Sequence, residues 1–234
     1  MTFLWRIADT LLAMSGVVLE HMTPLRWLAI AASYAGYWLL ARHGTPEAVL
    51  AYYAVATAAH YYYLFAMFRP GGWAAGQRAR LGDERGFLRH EGWMAFLFCH
   101  NALSIGLACS ATGTSPFEGG LSTTGWLRLG GAAALVALGL GAKLWATLLV
   151  GRDAYYYRDL FLGLPPGGLV ARGPYRWFRD PMYTVGHLQA YGLALYYGSG
   201  WGLLAVAANQ GLVLLFNALV EQPHVTNAAG SPAG

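Results

Sequence analysis

Apolar residues fall in long runs separated by short polar stretches. The runs lie near 27–42, 47–68, 93–111, 126–150, 182–198 and 201–220, and each approaches the roughly 20 residues needed to cross a bilayer. The first and fifth are short and need a straight path or snorkelling flanks. The pattern predicts an all-α, polytopic integral membrane protein with about six transmembrane helices. Residues 3–20 differ, because Arg6, Asp9 and Glu20 interrupt the apolar positions. They predict an interfacial amphipathic helix within residues 1–24 rather than a seventh span. Asp9 and the absence of a cationic start also argue against a cleaved leader. Residues 25–226 then form one membrane domain, and the small, polar tail at 227–234 is expected to be disordered.

Composition narrows the class and its partners. The chain is 56% hydrophobic and 11% charged, against about 25% charged residues in soluble domains. Its net charge of +4 comes almost wholly from arginine, with Lys143 the single lysine. No basic stripe is available to face a groove, so nucleic acid is not an expected partner. Cys99 and Cys109 share one apolar run and cannot pair across a continuous helix. The loop 69–92 holds Arg69, Arg78, Arg80, Arg85 and Arg89, and the segment 151–181 holds Arg152, Arg158, Arg172, Arg176 and Arg179. The stretches 112–125 and 198–201 hold neither Lys nor Arg. Positive-inside reasoning puts the arginine-rich segments and the C-terminus in the cytoplasm, and six crossings alternate correctly with that. Arg42, His43 and Arg128 fall at the other end and are expected at headgroup level.

This topology brings distant pieces of chain together. The fifth and sixth runs are joined by YGSGWG, Tyr197 to Gly202, which predicts an antiparallel helical hairpin with both ends on the cytoplasmic side. Asp180-Pro181 then meets Glu221-Gln222-Pro223. Charge collects at the same place, since RGPYRWFRDPMYTVG, Arg172 to Gly186, sets three arginines and an aspartate before an apolar run.

The segments GPYRWFRDPMY, GLALYYGSGWGLL and FNALVEQPHV resemble the C-terminal half of the membrane-embedded phospholipid methyltransferases, in particular the phosphatidylethanolamine N-methyltransferase family. Part of the skeleton is shared with isoprenylcysteine carboxyl methyltransferases. LVGRDAYYYRDLF, Leu149 to Phe161, is similar to the glycine-containing segment that enters the cofactor site in the phosphatidylethanolamine enzymes, so the resemblance covers about 143–223. It implies a cytoplasmic S-adenosylmethionine site held by Gly151, Gly173, Pro174, Tyr175, Arg176, Arg179, Asp180, Pro181, Tyr183, Glu221 and Gln222. Two positions depart from the family pattern: its acidic pair reads Glu221-Gln222 here, and Asp180 stands where His or Asn is common. No catalytic residue is assigned, and Tyr183 and His187 are positioning candidates.

The residue types suit that ligand on their own chemistry. S-adenosylmethionine carries a carboxylate, an ammonium, hydroxyls and a sulfonium. Arg176 or Arg179 can grip a carboxylate bidentately, and Glu221 or Asp180 can take an ammonium. Tyr175, Tyr183 and the run Tyr155, Tyr156, Tyr157 offer ring faces to a sulfonium or methylated ammonium, each contact being worth about 0.5–2 kcal/mol. Gly151, Gly173 and Gly186 permit close backbone approach. Tyr155, Tyr156, Tyr157, His187 and Gln189 are the expected substrate-binding residues.

Taken singly, each feature has a plainer explanation. Asp180-Pro181 is a common helix start, the arginines are topology anchors, and tyrosines at span ends form aromatic belts. Joint spacing favours the site. Lys143 is expected to snorkel toward the cytoplasmic surface, His60, His100 and Asn101 to bond between helices, and the glycines of LGLGAK, Leu138 to Lys143, to pack helices. No histidine pair has metal-ligand spacing, and no metal is expected. The expectation is a membrane methyltransferase using S-adenosylmethionine on a lipid that enters from the bilayer, with phosphatidylethanolamine or its methylated forms as the first substrate. The alternatives are carboxyl O-methylation of an isoprenylated or other lipophilic acid, and a non-catalytic lipid-binding scaffold. The sequence does not fix the oligomeric state.

Overall fold

The structure, a computed structural model, describes residues 3–118, 122–164 and 172–224. All regular elements among them are helical. The expected disordered tail at 227–234 lies outside the described residues. In chain order the α-helices are α1 Phe3–Met14, α2 Pro24–His43, α3 Pro46–Phe68, α4 Trp73–Leu81, α5 Asp83–Ala111, α6 Thr123–Val150, α7 Arg152–Tyr155, α8 Arg158–Leu162, α9 Leu188–Tyr197 and α10 Gly200–Phe216. A π-helical turn, Asn217–Glu221, carries α10 on to His224.

Side-chain caps start most of the long helices. Thr23 accepts from the Arg26 amide at 3.2 Å and Thr45 from Ala48 at 3.3 Å, each followed by proline at the first helical position. Ser122 and Ser199 cap α6 and α10 in the same way. Gly198, at φ 58°, makes the left-handed turn between α9 and α10.

Among the described residues, three helices are long and apolar enough to cross a bilayer: Asp83–Ala111, Thr123–Val150 and Gly200–His224. Helices α2 and α3 have the length, at 20 and 23 residues, but less apolarity, with five tyrosines and His60 on α3. Helix α1, with 12 residues, spans about 18 Å and is too short to cross. The fifth expected run, 182–198, is not one helix. Only its second half is, as the 10-residue α9, about 15 Å long. Thr184, at φ −99° and ψ −90°, leaves the helical region just before it.

Helix α9 packs along α6, where two glycines allow close approach. A Cβ on Gly192 would lie 2.8 Å from the Ala132 carbonyl oxygen, and one on Gly139 would collide with the Gln189 amide. A Cβ on Gly141 would meet nothing within 4 Å, so of these neighbouring glycines only Gly139 is a packing position. At one end of the bundle the arginine-poor loops meet, as the Thr114 amide donates to the Tyr197 carbonyl at 2.7 Å and Thr112 bonds Ser199 at 2.6 Å. Arg128 lies there too, but it donates to the carbonyls of Thr114 and Tyr196 at 2.6 and 2.7 Å instead of reaching outward. A cation at the C-terminus of α9 complements its unsatisfied carbonyls.

The other end joins the two arginine-rich segments. Arg158 pairs with Glu84 at 3.1 Å, and Arg152 pairs with Asp9 at 3.4 Å and Glu20 at 2.9 Å, tying the N-terminal segment to the end of α6. Glu91, only 2% exposed, accepts from His21 at 2.8 Å and Arg26 at 3.3 Å. An aromatic core of Tyr61, Phe87, Tyr156, Phe161 and Phe216 fills the space between these ties.

Candidate functional site

The site forms where the chain after α8 meets the end of α10. Gly173–Arg176 makes a 3₁₀ turn against α6, with Pro174 buried. Gly173 has φ +61°, and a Cβ there would lie 2.5 Å from Leu149 Cδ1 and 3.0 Å from Trp145 Nε1. Only glycine satisfies both the backbone and the space. The chain then makes successive turns, in which the Asp180 carbonyl accepts from the Tyr183 and Thr184 amides at 3.1 Å and the Pro181 carbonyl accepts from Gly186 at 2.8 Å. Asp180 therefore does not cap a helix, since α9 begins only at Leu188 with His187 at its N-cap position.

The Asp180 carboxylate turns to the end of α10 and accepts from Gln222 Nε2 at 3.4 Å. Gln222 Oε1 accepts from Arg179 Nη2. An amide can accept from a cation and donate to an anion at once, which a second carboxylate could not do. Beside it, Tyr183 donates its hydroxyl proton to Glu221 Oε2 at 2.9 Å. Tyr157 lies 3.2 Å from the Tyr183 oxygen, and since each hydroxyl has one proton, Tyr157 donates to Tyr183. Burial and the Glu221 charge hold the Tyr157 phenol above its ordinary pKa. Burial, then the charges of Glu221 and Asp180, push Tyr175 up to about 12. Both phenols are donors at neutral pH.

The structure thus joins Arg179, Asp180, Tyr183, Glu221 and Gln222, residues about forty positions apart. Glu221 has no cationic partner among the described residues. Arg176 is exposed and likewise makes no ion pair among them, so it, rather than the engaged Arg179, is the guanidinium open to a ligand carboxylate. The residues present fit S-adenosylmethionine: an open cation, a carboxylate without a cation, and the phenols of Tyr175 and Tyr183 beside that carboxylate.

Gly151 contributes conformation. At φ +93° it ends α6 and turns the chain into Tyr155–Tyr157, and a Cβ there would meet nothing within 4 Å. Tyr157 also has a positive φ, 58°. The three tyrosines divide. Tyr156 donates to the Ala13 carbonyl at 2.6 Å and sits in the aromatic core, where it packs the N-terminal segment against the end of α6. Tyr155 and Tyr157 line a cavity of about 60 Å³ with His60, Asn101, Lys143, Met182, Tyr183, His187 and Asn209.

The polar groups inside the bundle also divide. His100 bonds Ser33 at 2.9 Å and Tyr52 at 2.6 Å, and Asn101 accepts from Thr57 at 2.9 Å and Asn209 at 3.1 Å, as interhelical bonding groups do. His60 does not follow them, because its Nδ1 is buried without a hydrogen-bond partner. Lys143 does not snorkel. Its ammonium lies 5.2 Å from the Phe98 ring centre and 5.5 Å from that of Tyr155, directed inward. Hydropathy alone cannot reveal this, because it does not fix the rotation of α6 about its axis. His187 and Gln189 line a second groove of about 360 Å³ that shares Lys143 with the cavity.

The comparisons bear on this half of the chain. Residues 127–230 match the family model for phospholipid methyltransferases. Over 105 residues the chain is 33% identical to a phosphatidylethanolamine N-methyltransferase of Schizosaccharomyces japonicus, covering 45% of this chain and 12% of that relative. It is 34% identical over 110 residues to that of Schizosaccharomyces pombe, covering 45% and 12%, and 36% identical over 96 residues to that of Malassezia globosa, covering 41% and 10%. The chain thus aligns with only about an eighth or less of the length of these relatives. No solved structure matches it.

Proposed function

We propose that this protein is an integral membrane methyltransferase that uses S-adenosylmethionine to methylate the amine headgroup of phosphatidylethanolamine or its partly methylated forms. The observation that carries the reading is the joining of Arg179, Asp180, Tyr183, Glu221 and Gln222 at the end of one hairpin. It is supported by the similarity of residues 127–230 to phospholipid methyltransferases. Bound there, S-adenosylmethionine would supply an electrophilic methyl group on a sulfonium. Arg176 opposes its carboxylate, Glu221 and Asp180 its ammonium, and Tyr175 and Tyr183 its charged sulfur. The protein's contribution is orientation and exclusion of water, which dominate in-line displacements. Six crossings, with the N-terminal segment lying at the interface and the site cytoplasmic, accord with the arginine-rich end of the bundle. The broken fifth element, 181–197, is tolerable at membrane depth because its irregular backbone borders a cavity.

The test is incubation of membranes containing the protein with methyl-labelled S-adenosylmethionine, followed by mass spectrometry of the lipids. The expected outcome is label in mono-, di- or trimethylated phosphatidylethanolamine, lost in Glu221→Ala. Label in methyl esters of lipophilic acids would identify a carboxyl methyltransferase instead. Failure of the purified protein to bind S-adenosylhomocysteine would remove both readings and leave a lipid-binding scaffold.

A further inference from the structure

Lys143 lies within the longest apolar part of α6 and faces the junction of α5, α6 and α9. Its ammonium rests between the rings of Phe98 and Tyr155 and has neither an ion-pair partner nor a hydrogen-bond acceptor among the described residues. A cation taken out of water without an anion is costly, and two ring faces offset only part of that. The surroundings offer polar atoms that can turn a proton toward a ligand. Tyr155 Oη, His187 Nε2 and His60 Nδ1, all from residues lining the cavity, are buried without partners, and a phenol or the N–H tautomer of an imidazole can donate to an incoming acceptor. The Asn101 side-chain oxygen is already occupied by Thr57 and Asn209. No Asp or Glu lines either space.

Such a cluster calls for a ligand that is anionic and rich in acceptors. The geometry also says how far the ligand extends. On one side, Tyr157 and Tyr183 form a wall of the cavity and lead to Glu221. On the other, the groove shared through Lys143 adds to His187, Gln189 and Asn209 an apolar lining of Ala102, Ile105, Val136, Ala190 and Leu193. A molecule lying along this path meets an acidic end, then a basic centre, then an apolar channel. That order matches an amine, a phosphodiester two carbons away, and acyl chains.

We propose that Lys143, aided by His187 and Tyr155, binds the phosphodiester of an amine phospholipid and so sets which lipids the site accepts. The amine identity of the ligand rests on the methyltransferase reading above, whereas the anion site itself does not.

The experiment measures binding to the full-length protein in uncharged detergent, using dioctanoyl phosphatidylethanolamine, dioctanoylglycerol and inorganic phosphate as probes. Lys143→Met is expected to weaken binding of the phospholipid tenfold to a hundredfold, as loss of a charge-assisted contact does, and to leave dioctanoylglycerol binding unchanged. Lys143→Arg should keep affinity within a few-fold. Retained S-adenosylhomocysteine binding shows that each variant is folded. Unchanged phospholipid affinity in Lys143→Met would overturn the proposal, as would equal loss of both lipids, which would make Lys143 a packing residue. Displacement of the phospholipid by millimolar inorganic phosphate would overturn the lipid assignment in favour of a soluble phosphate compound. A wild-type protein that binds the phospholipid through Lys143 but no S-adenosylhomocysteine would sink the methyltransferase reading and leave the phosphodiester site standing.

Discussion

At the residue scale, Tyr183 and Glu221 act as one unit. Glu221 accepts from Tyr183 at 2.9 Å, and Tyr183 is oriented in turn by Tyr157, so the carboxylate is held in one place before any ligand arrives. Glu221→Ala removes the only carboxylate of the site that is not already bonded to Gln222, and should raise the dissociation constant of S-adenosylhomocysteine about tenfold to a hundredfold. Tyr183→Phe leaves the charge and loses its orientation, so its effect should be smaller, roughly threefold to tenfold, because the lost hydrogen bond positions the carboxylate and is not itself made to the ligand. The double variant should be little weaker than Glu221→Ala alone, because the hydroxyl has nothing to orient once the carboxylate is gone. Calorimetric titration of the four proteins measures this, and strictly additive losses would show that the two side chains hold separate parts of the ligand.

At the scale of elements, the α6–α9 contact decides whether the two halves of the site stay in register. A Cβ on Gly192 would press on the Ala132 carbonyl and on Val136 Cγ2, both at 2.8 Å, so Gly192→Val should destabilise the protein by about 1–3 kcal/mol through overpacking. Gly141→Ala has open space and should be neutral or stabilising by about 0.5–1 kcal/mol, the ordinary gain of alanine over glycine in a helix. Melting temperatures in detergent compare the two, and a Gly192→Val protein as stable as wild type would mean that α9 is not held against α6. The long helices were legible in the sequence because continuous apolarity and threonine or serine caps coincide at their ends. Thus the run 47–68 is Pro46–Phe68 and 126–150 is Thr123–Val150. Helix α5 begins ten residues before its run, because the polar turn from Asp83 to His90 still forms helix. The run 182–198 misled, since apolarity reports the medium and not the backbone, and Met182, Tyr183 and Val185 in the turns extend the apolar run of α9. The meeting of Asp180 with Gln222 followed from the hairpin. The inward Lys143 and the π-turn that carries Glu221 did not, as both depend on helical rotation that no residue pattern records.

At the scale of the whole molecule, charge and contact agree on which segments share a side. Arg158 with Glu84, and Arg78 with the Phe161 carbonyl at 3.4 Å, fasten the 69–92 segment to the 151–164 segment, while the loops lacking Lys and Arg meet at the opposite end. Two arginine-rich segments bound together cannot lie on different sides of a bilayer, and the positive-inside rule together with the proposed function assigns their side to the cytoplasm. In a background without Cys99 and Cys109, single cysteines replacing Arg85 and Arg176, both exposed, should react with a membrane-impermeant maleimide only after the cytoplasmic face is opened. A cysteine replacing Glu118, exposed in the other loop cluster, should react in sealed vesicles from outside. Labelling of the 85 and 176 positions from opposite faces would break the joined end of the bundle and with it the proposed site. Labelling of both from outside would keep the site intact and turn the whole molecule over, a result that only a donor pool on that side could reconcile with methyl transfer.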